Sequence, residues 1–162
     1  MRGVSVATML LSLGVTVLGQ ALTLKPPTLQ HVSVEGTTSA PTVAPGGRVT
    51  LWADVTPKAR VHVYAAGAKD LTPVALVMTP RQGVTLAQPT YPASALSLTA
   101  GATEPAPVYS APFRIAQPVT IARTVKAGET LTLAGAVNYQ ACDDRLCYPA
   151  TSIPVTWTLK LQ

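Results

Sequence analysis

The sequence predicts an all-β chain, a two-sheet antiparallel sandwich of immunoglobulin-like type, and three observations carry that expectation. Apolar residues recur at every second position in run after run, the period of a half-buried strand rather than of a helix. Fifteen prolines stand among 162 residues, and each removes a backbone donor and clashes inside a helix, so long helices are excluded. Turn signals separate about seven short runs, the spacing of a sandwich. A closed barrel is the alternative arrangement of the same strands.

The chain opens like a secretory signal. Arg2 gives a positive start, Val4 to Leu18 is uncharged and apolar, and Gly19-Gln20-Ala21 places small residues where a signal peptidase cuts. Residues 1–21 are therefore expected to leave as a signal peptide, and residues 22–162 to form one domain. The alternative is a membrane anchor in residues 4–18, but spanning needs about 20 apolar residues and this stretch is shorter. No cysteine directly follows the apolar stretch, which argues against a lipid-modified terminus. No later segment is long and apolar enough to span a bilayer.

The strands follow in order. Val49 to Val55 alternates and stops at Pro57, and Val61-His62-Val63-Tyr64-Ala65 alternates again. Pro73 to Met78 and Val84 to Ala87 are shorter apolar runs. Phe113 to Ile121 alternates imperfectly around Pro118. The clearest signals come last: Leu131, Leu133 and Val137 share one face of the run 129–140, and Ile153, Val155, Trp157, Leu159 and Leu161 share one face of 153–161. Trp52, Trp157 and Tyr139 are read as core or sheet-packing residues. Gly36 to Gly47 and Pro92 to Pro107, both built from small and polar residues, read as surface connections. The second is long enough to suggest a functional loop.

Composition excludes several classes of function. The formal charge of +5 falls to +4 without Arg2, and the basic residues are scattered singly without interleaved aromatics. That pattern is a solvated surface rather than a nucleic-acid footprint. His31 and His62 are the only imidazoles, and two cysteines at this spacing do not make a four-ligand zinc site, so no metal is expected. Beyond the signal only Met78 remains among the methionines, which argues against a copper carrier. No serine or carboxylate constellation suggests hydrolysis, and no glycine loop suggests phosphate binding, so no cofactor is expected.

The chemistry points to Tyr139-Gln140-Ala141-Cys142-Asp143-Asp144-Arg145-Leu146-Cys147-Tyr148-Pro149. Four residues separate the two cysteines, which lie between the two clearest strands. Two thiols in an exported chain form one disulfide in an oxidising compartment. A hairpin there brings its ends within the roughly 5.5–6 Å Cα separation a disulfide prefers. As a staple the bond is modest. Chain entropy gives about 2 kcal/mol for a loop of about six residues and nearer 4 kcal/mol for loops of several tens. A tight exposed loop suits a disulfide that must be reached and reduced. Asp143 and Asp144 disfavour a nearby thiolate and Arg145 favours one. On the residues alone, a redox pair and a structural hairpin staple both fit.

The run YQACDDRLCYP resembles the active-site hairpin of the N-terminal periplasmic domain of DsbD, the membrane thiol–disulfide interchange protein. Val61-His62-Val63-Tyr64 is similar to that family's aromatic-rich strand near the cysteine pair. Tyr91-Pro92, Val108-Tyr109 and the strand to Ile121 follow its order of elements. The resemblance implies an immunoglobulin-like fold with a redox hairpin, in the periplasm. By the same resemblance the pair is expected to accept electrons from a thioredoxin-like domain and pass them to periplasmic disulfide isomerases or cytochrome-maturation thioredoxins. It implies further that Cys147 forms the mixed disulfide and Cys142 resolves it.

Three departures from the family stand out. No stretch resembles the family's membrane-embedded or C-terminal thioredoxin domain, so the expected donor is a separate protein, a membrane electron carrier among the candidates. Four residues separate the cysteines where the best-known members have five. The segment corresponding to the family's shielding cap loop, Ala102 to Ser110, reads ATEPAPVYS, with Tyr109 as its only aromatic.

Around the pair, His62 and Tyr64 lie two apart on one strand and share a face, from which they can hydrogen-bond near the sulfurs. Tyr148 directly follows Cys147 and is expected to shape access to it, and Pro149 to stiffen the end of the hairpin. The competing expectation is an exported immunoglobulin-like binding or assembly module with a purely structural disulfide.

Overall fold

The computed structural model describes residues 30–69, 71–99 and 101–162. In chain order the strands are β1 (Val32–Thr38), β2 (Thr42–Val43), β3 (Arg48–Pro57), β4 (His62–Tyr64), β5 (Ala75–Met78) and β6 (Val84–Leu86). They continue as β7 (Ala95–Ser97), β8 (Ala106–Tyr109), β9 (Phe113–Ile121), β10 (Thr130–Tyr139), β11 (Ala141–Cys142) and β12 (Thr151–Leu161). Among the described residues there is no helix, and the chain is the all-β immunoglobulin-like fold that the alternation predicts.

Two large sheets make the sandwich. One has the order β1-β3-β9-β6, all antiparallel, and the other β2-β12-β10-β5, antiparallel except for the short parallel pairing of β2 with β12. Their inner faces carry the residues the alternation selects. Leu51, Ala53 and Val55 of β3 and Ile115, Val119 and Ile121 of β9 are buried opposite Leu133 and Val137 of β10 and Val155, Trp157 and Leu159 of β12. Burying each large aliphatic side chain contributes about 1.5–3 kcal/mol. Trp157 also ties the sheets together, its indole N–H donating to the Trp52 carbonyl at 2.8 Å. Trp52 itself is half-buried on β3, with the Arg114 guanidinium 4.2 Å over its ring.

The irregularity in β9 is chemical rather than geometric. Every second residue from Ile115 to Ile121 is buried, and the polar one, Gln117, donates its amide to the Ala87 carbonyl at 2.6 Å. Pro118 stands opposite Thr50 of β3. Its carbonyl accepts from the Ala87 N–H on the far side, so the donor it lacks is missing from the β6 flank of the strand and not from the β3 ladder.

Two expectations about loops need correction. Gly36 to Gly47 is not a continuous surface connection: Gly36, Thr37 and Thr38 complete β1, which pairs along its whole length with β3, and Thr42–Val43 forms β2. The threonines hid a half-buried strand. Gly36 is there because the sheets approach so closely that a Cβ would strike the Thr156 carbonyl oxygen and lie 3.1 Å from Trp157 Nε1. Likewise Pro92 to Pro107 contains all of β7 and the start of β8.

A third sheet, which the sequence does not suggest, has the order β11-β4-β8-β7. Its strands are only two to four residues long, and two of its pairings span large sequence separations, Cys142 opposite His62 and Val63 opposite Tyr109, while β7 pairs with its neighbour β8, Leu96 opposite Pro107. This sheet holds Cys142, and Cys147 faces it across an isolated bridge.

Candidate thiol–disulfide site

β10 and β12 pair from Thr130–Lys160 to Tyr139–Thr151, so the cysteine segment is an excursion from the end of a finished ladder. At Gln140 the chain leaves it. The Gln140 carbonyl accepts from the Tyr64 N–H at 3.2 Å, and its side-chain oxygen accepts from the Thr72 N–H at 2.9 Å. Ala141 and Cys142 then join β4, and the chain folds back into a second, smaller hairpin. The Asp143 N–H donates to the Leu146 carbonyl at 3.0 Å, Cys142 faces Cys147, and the Tyr148 N–H donates to the Ala141 carbonyl at 2.8 Å.

Asp143 organises the tip. One carboxylate oxygen accepts from the Arg145 and Leu146 N–H groups at 2.8 and 2.9 Å, as short polar side chains do in turns. The other accepts from the Tyr148 hydroxyl at 2.6 Å. The Tyr148 hydroxyl, followed by the two backbone donors, brings the Asp143 carboxyl down to about 2. The same bond raises the Tyr148 phenol above its ordinary range. Tyr148 in turn stacks on His31, ring centroids 3.5 Å apart and planes 17° from parallel. Burial, then Lys58, lowers the His31 imidazole, with Asp143 opposing. His31 is fixed from both sides through its backbone: its main-chain N–H donates to the Tyr139 hydroxyl at 3.1 Å, and its carbonyl accepts from the Lys58 N–H at 2.9 Å. The chain entering β1 therefore braces the tip of the hairpin.

Cys142 and Cys147 form a disulfide, with Cα atoms 4.0 Å apart. Their surroundings differ sharply. Cys142 is fully buried, packed with Tyr64 and Val108, whereas Cys147 is exposed beside Leu146, itself 50% exposed. The Tyr64 hydroxyl lies 2.9 Å from Cys142 Sγ and 3.5 Å from Cys147 Sγ, and donates to Thr99 Oγ1 at 2.9 Å. A cleft of about 550 Å³ opens here, lined by Tyr64, Thr99, Cys147, Lys69 and Glu104 among others.

The residues expected near the sulfurs divide. Tyr64 reaches both. His62, two positions away, turns to Ser110 instead, Nδ1 to Oγ 2.8 Å, with Nε2 3.9 Å from an Asp144 oxygen. Tyr109 is not a cover for the disulfide: it lies in the main core, stacked on Phe113, and its hydroxyl donates to the Pro92 carbonyl at 2.8 Å. Burial, then Tyr91, raises the Tyr109 phenol. The strand β8 turns that aromatic inward, so the part of the supposed cap segment that lines the cleft with Cys147 is Ala102 to Pro107. Tyr148 shapes the turn through Asp143, and Pro149 is exposed behind it. Sequence reasoning missed Thr99 and His31. Thr99 has no local signal, being one threonine in a small-residue stretch, and His31 stands in the sequence only as an isolated imidazole.

The structure resembles the reduced N-terminal domain of DsbD from Neisseria meningitidis at 15% identity, covering 78% of this chain and 90% of that one with a TM-score of 0.49. It resembles the N-terminal periplasmic domain of ScsB from Proteus mirabilis at 14% identity and a TM-score of 0.53, covering 85% of this chain and 49% of that one. At this identity the ScsB likeness speaks to the fold alone, and the chain spans about half of that domain's length. None of the curated proteins matches the chain. The family model for the N-terminal domain of the thiol:disulfide interchange protein DsbD matches residues 30–157. On that match, the chain belongs to the DsbD N-terminal domain family of thiol–disulfide oxidoreductases, and the disulfide that such activity requires is present as Cys142–Cys147.

Proposed function

We propose that this protein carries electrons in the periplasm between a thioredoxin-like donor and disulfide-containing partners, with Cys147 as the sulfur that bonds to the partner and Cys142 as the one that resolves the mixed disulfide. The observation carrying this reading is the asymmetry of the pair: Cys147 is exposed on a cleft, and Cys142 has no solvent-exposed surface. A partner thiolate approaching in line with the S–S bond meets Cys147, and the electron pair of the broken bond leaves on Cys142. Disulfide isomerases and cytochrome-maturation thioredoxins are the acceptors this reading names, with a separate membrane electron carrier as a candidate donor.

The test is trapping. Cys142→Ser, mixed with an oxidised thioredoxin-like protein, gives a covalent complex through Cys147 that reductant releases. Cys147→Ser gives none. Equal trapping by both variants, or by neither, overturns the assignment. A reduction potential below about −300 mV, the range of structural disulfides, favours instead a binding module with a staple.

Export by residues 1–21 belongs to the same proposal and lies outside the described residues. Its support is the charged start, apolar stretch and small-residue cleavage site. The secreted protein then begins at Leu22 by mass spectrometry, and a retained Arg2 refutes it. Among the described residues no helix is long and apolar enough to cross a membrane.

A further inference from the structure

The sulfur of Cys142 is sealed from solvent, yet in a working cycle it gains a proton each time the disulfide opens and loses it each time the bond closes. Its surroundings offer few routes. Val108 and the ring of Tyr64 pack against it, and the hydroxyl 2.9 Å away belongs to Tyr64, which is itself fully buried. That hydroxyl is 2.9 Å from Thr99 Oγ1. Thr99 is a buried polar residue, only 6% exposed, and both it and Tyr64 line the cleft of about 550 Å³ that opens beside Cys147. Sulfur, phenol, alcohol and cleft thus form one continuous chain of hydrogen-bonding groups.

We infer that Tyr64 and Thr99 are a proton relay between the buried sulfur of Cys142 and water in the cleft, with Tyr64 as a catalytic residue for the resolving half of the exchange. The inference rests on the exchange reading above and adds to it a path for the proton. With the disulfide closed, neither sulfur is charged, and Tyr64 donates its single proton to Thr99. When a partner thiolate attacks Cys147, the new S–S bond forms there, the old one breaks, and the electron pair resides on Cys142. Tyr64 then turns its proton to that thiolate, and the Thr99 hydroxyl, replenished from cleft water, gives a proton to the phenol oxygen. The sum is one thiolate, one disulfide and one proton converted to one mixed disulfide at Cys147 and one thiol at Cys142. In reverse, the thiol loses its proton along the same path, the Cys142 thiolate attacks Cys147, and the partner thiolate departs. The titratable groups facing this path are Lys69 and Glu104 on the cleft wall, with His62 and Asp144 beside the hairpin.

The experiment uses the reduced full-length protein and dithiobis(nitrobenzoate). Attack by Cys147 releases one coloured thiolate, and attack by Cys142 on the mixed disulfide releases a second. Tyr64→Phe keeps the ring and removes the hydroxyl. It slows the second phase by about 10- to 100-fold, the range supported by one hydrogen bond to a charged group, and slows it more than the first. Its second phase also moves to higher pH, which loss of packing alone does not produce. Thr99→Val keeps the Tyr64–sulfur contact and slows the second phase in the same direction by a smaller factor, giving a second measurement should the Phe variant fold poorly. A second phase unchanged in both variants across pH overturns the relay while leaving exchange intact. A wild-type protein that releases only the first thiolate overturns the exchange reading, and the relay with it.

Discussion

Reducing the disulfide leaves the protein folded and removes only a modest part of its stability. The magnitude follows from the hairpin. Closing a loop of about six residues constrains the unfolded chain by about 2 kcal/mol. What holds the hairpin does not pass through the sulfurs: the Asp143–Leu146 and Tyr148–Ala141 backbone bonds, the Asp143 carboxylate on two N–H groups and the Tyr148 hydroxyl, and the pairing of β11 with β4 all lie outside the S–S bond. For a domain of this size, about 2 kcal/mol corresponds to a fall in Tm of roughly 6–10 °C. The assay is thermal unfolding of oxidised protein, protein held in phosphine reductant, and Cys147→Ser, in which the exposed sulfur is replaced at little packing cost. All three are expected to unfold cooperatively, the last two together below the first. A loss above about 4 kcal/mol, as expected for a bond closing a loop of several tens of residues or more, refutes the reasoning. So does loss of cooperative folding, and either result restores the disulfide as a staple.

Two further predictions concern the frame and the turn. Gly36→Ala forces a methyl group against the Thr156 carbonyl and Trp157 between the sheets, and costs about 1–3 kcal/mol as overpacking does. A urea midpoint equal to wild type contradicts the close approach. Asp143 titrates at about 2, below its ordinary value of 3.8, so its contribution to the hairpin is fully present above 3.8 and lost as pH falls through about 2. The Tyr148 phenol is raised above 10.0, so its contribution is present below that value and lost as pH rises through the higher folded one. Carboxyl NMR checks this directly: Tyr148→Phe removes the largest cause and moves the Asp143 midpoint upward, and an unmoved midpoint denies the hydrogen bond.

The sandwich was legible because its strands declare themselves locally. β3, β10 and β12 alternate cleanly, and the residues on their apolar faces are the core. Gln117 blurred β9, since alternation reads chemistry and not direction, and an inward amide satisfied by a carbonyl leaves the same trace as a break. The end of β1 was hidden behind threonines and a glycine whose presence is explained only by the opposite sheet. The third sheet has little local signature beyond the alternation of β4: two residues of β11 choose β4 because the end of the β10–β12 ladder leaves them beside it. At the site, the cysteines and Tyr64 stand in recognisable runs, whereas Thr99 and His31 matter through partners 35 and 117 residues distant in the chain. Tyr109 shows the opposite failure, an aromatic in a suggestive segment that the register of β8 turns into the core.

The burial of Cys142 carries a consequence for selectivity between the two ends of the bond. An open disulfide offers an attacking thiolate two regiochemical outcomes, one of which puts the adduct on the sulfur that should be doing the resolving. Here a nucleophile arriving from solvent finds a single electrophilic atom, because only Cys147 presents one. Under the proposed exchange, every encounter that reacts would therefore enter the same adduct at Cys147, with Cys142 in place behind it to resolve it, and no misjoined species would have to be undone before the next turnover.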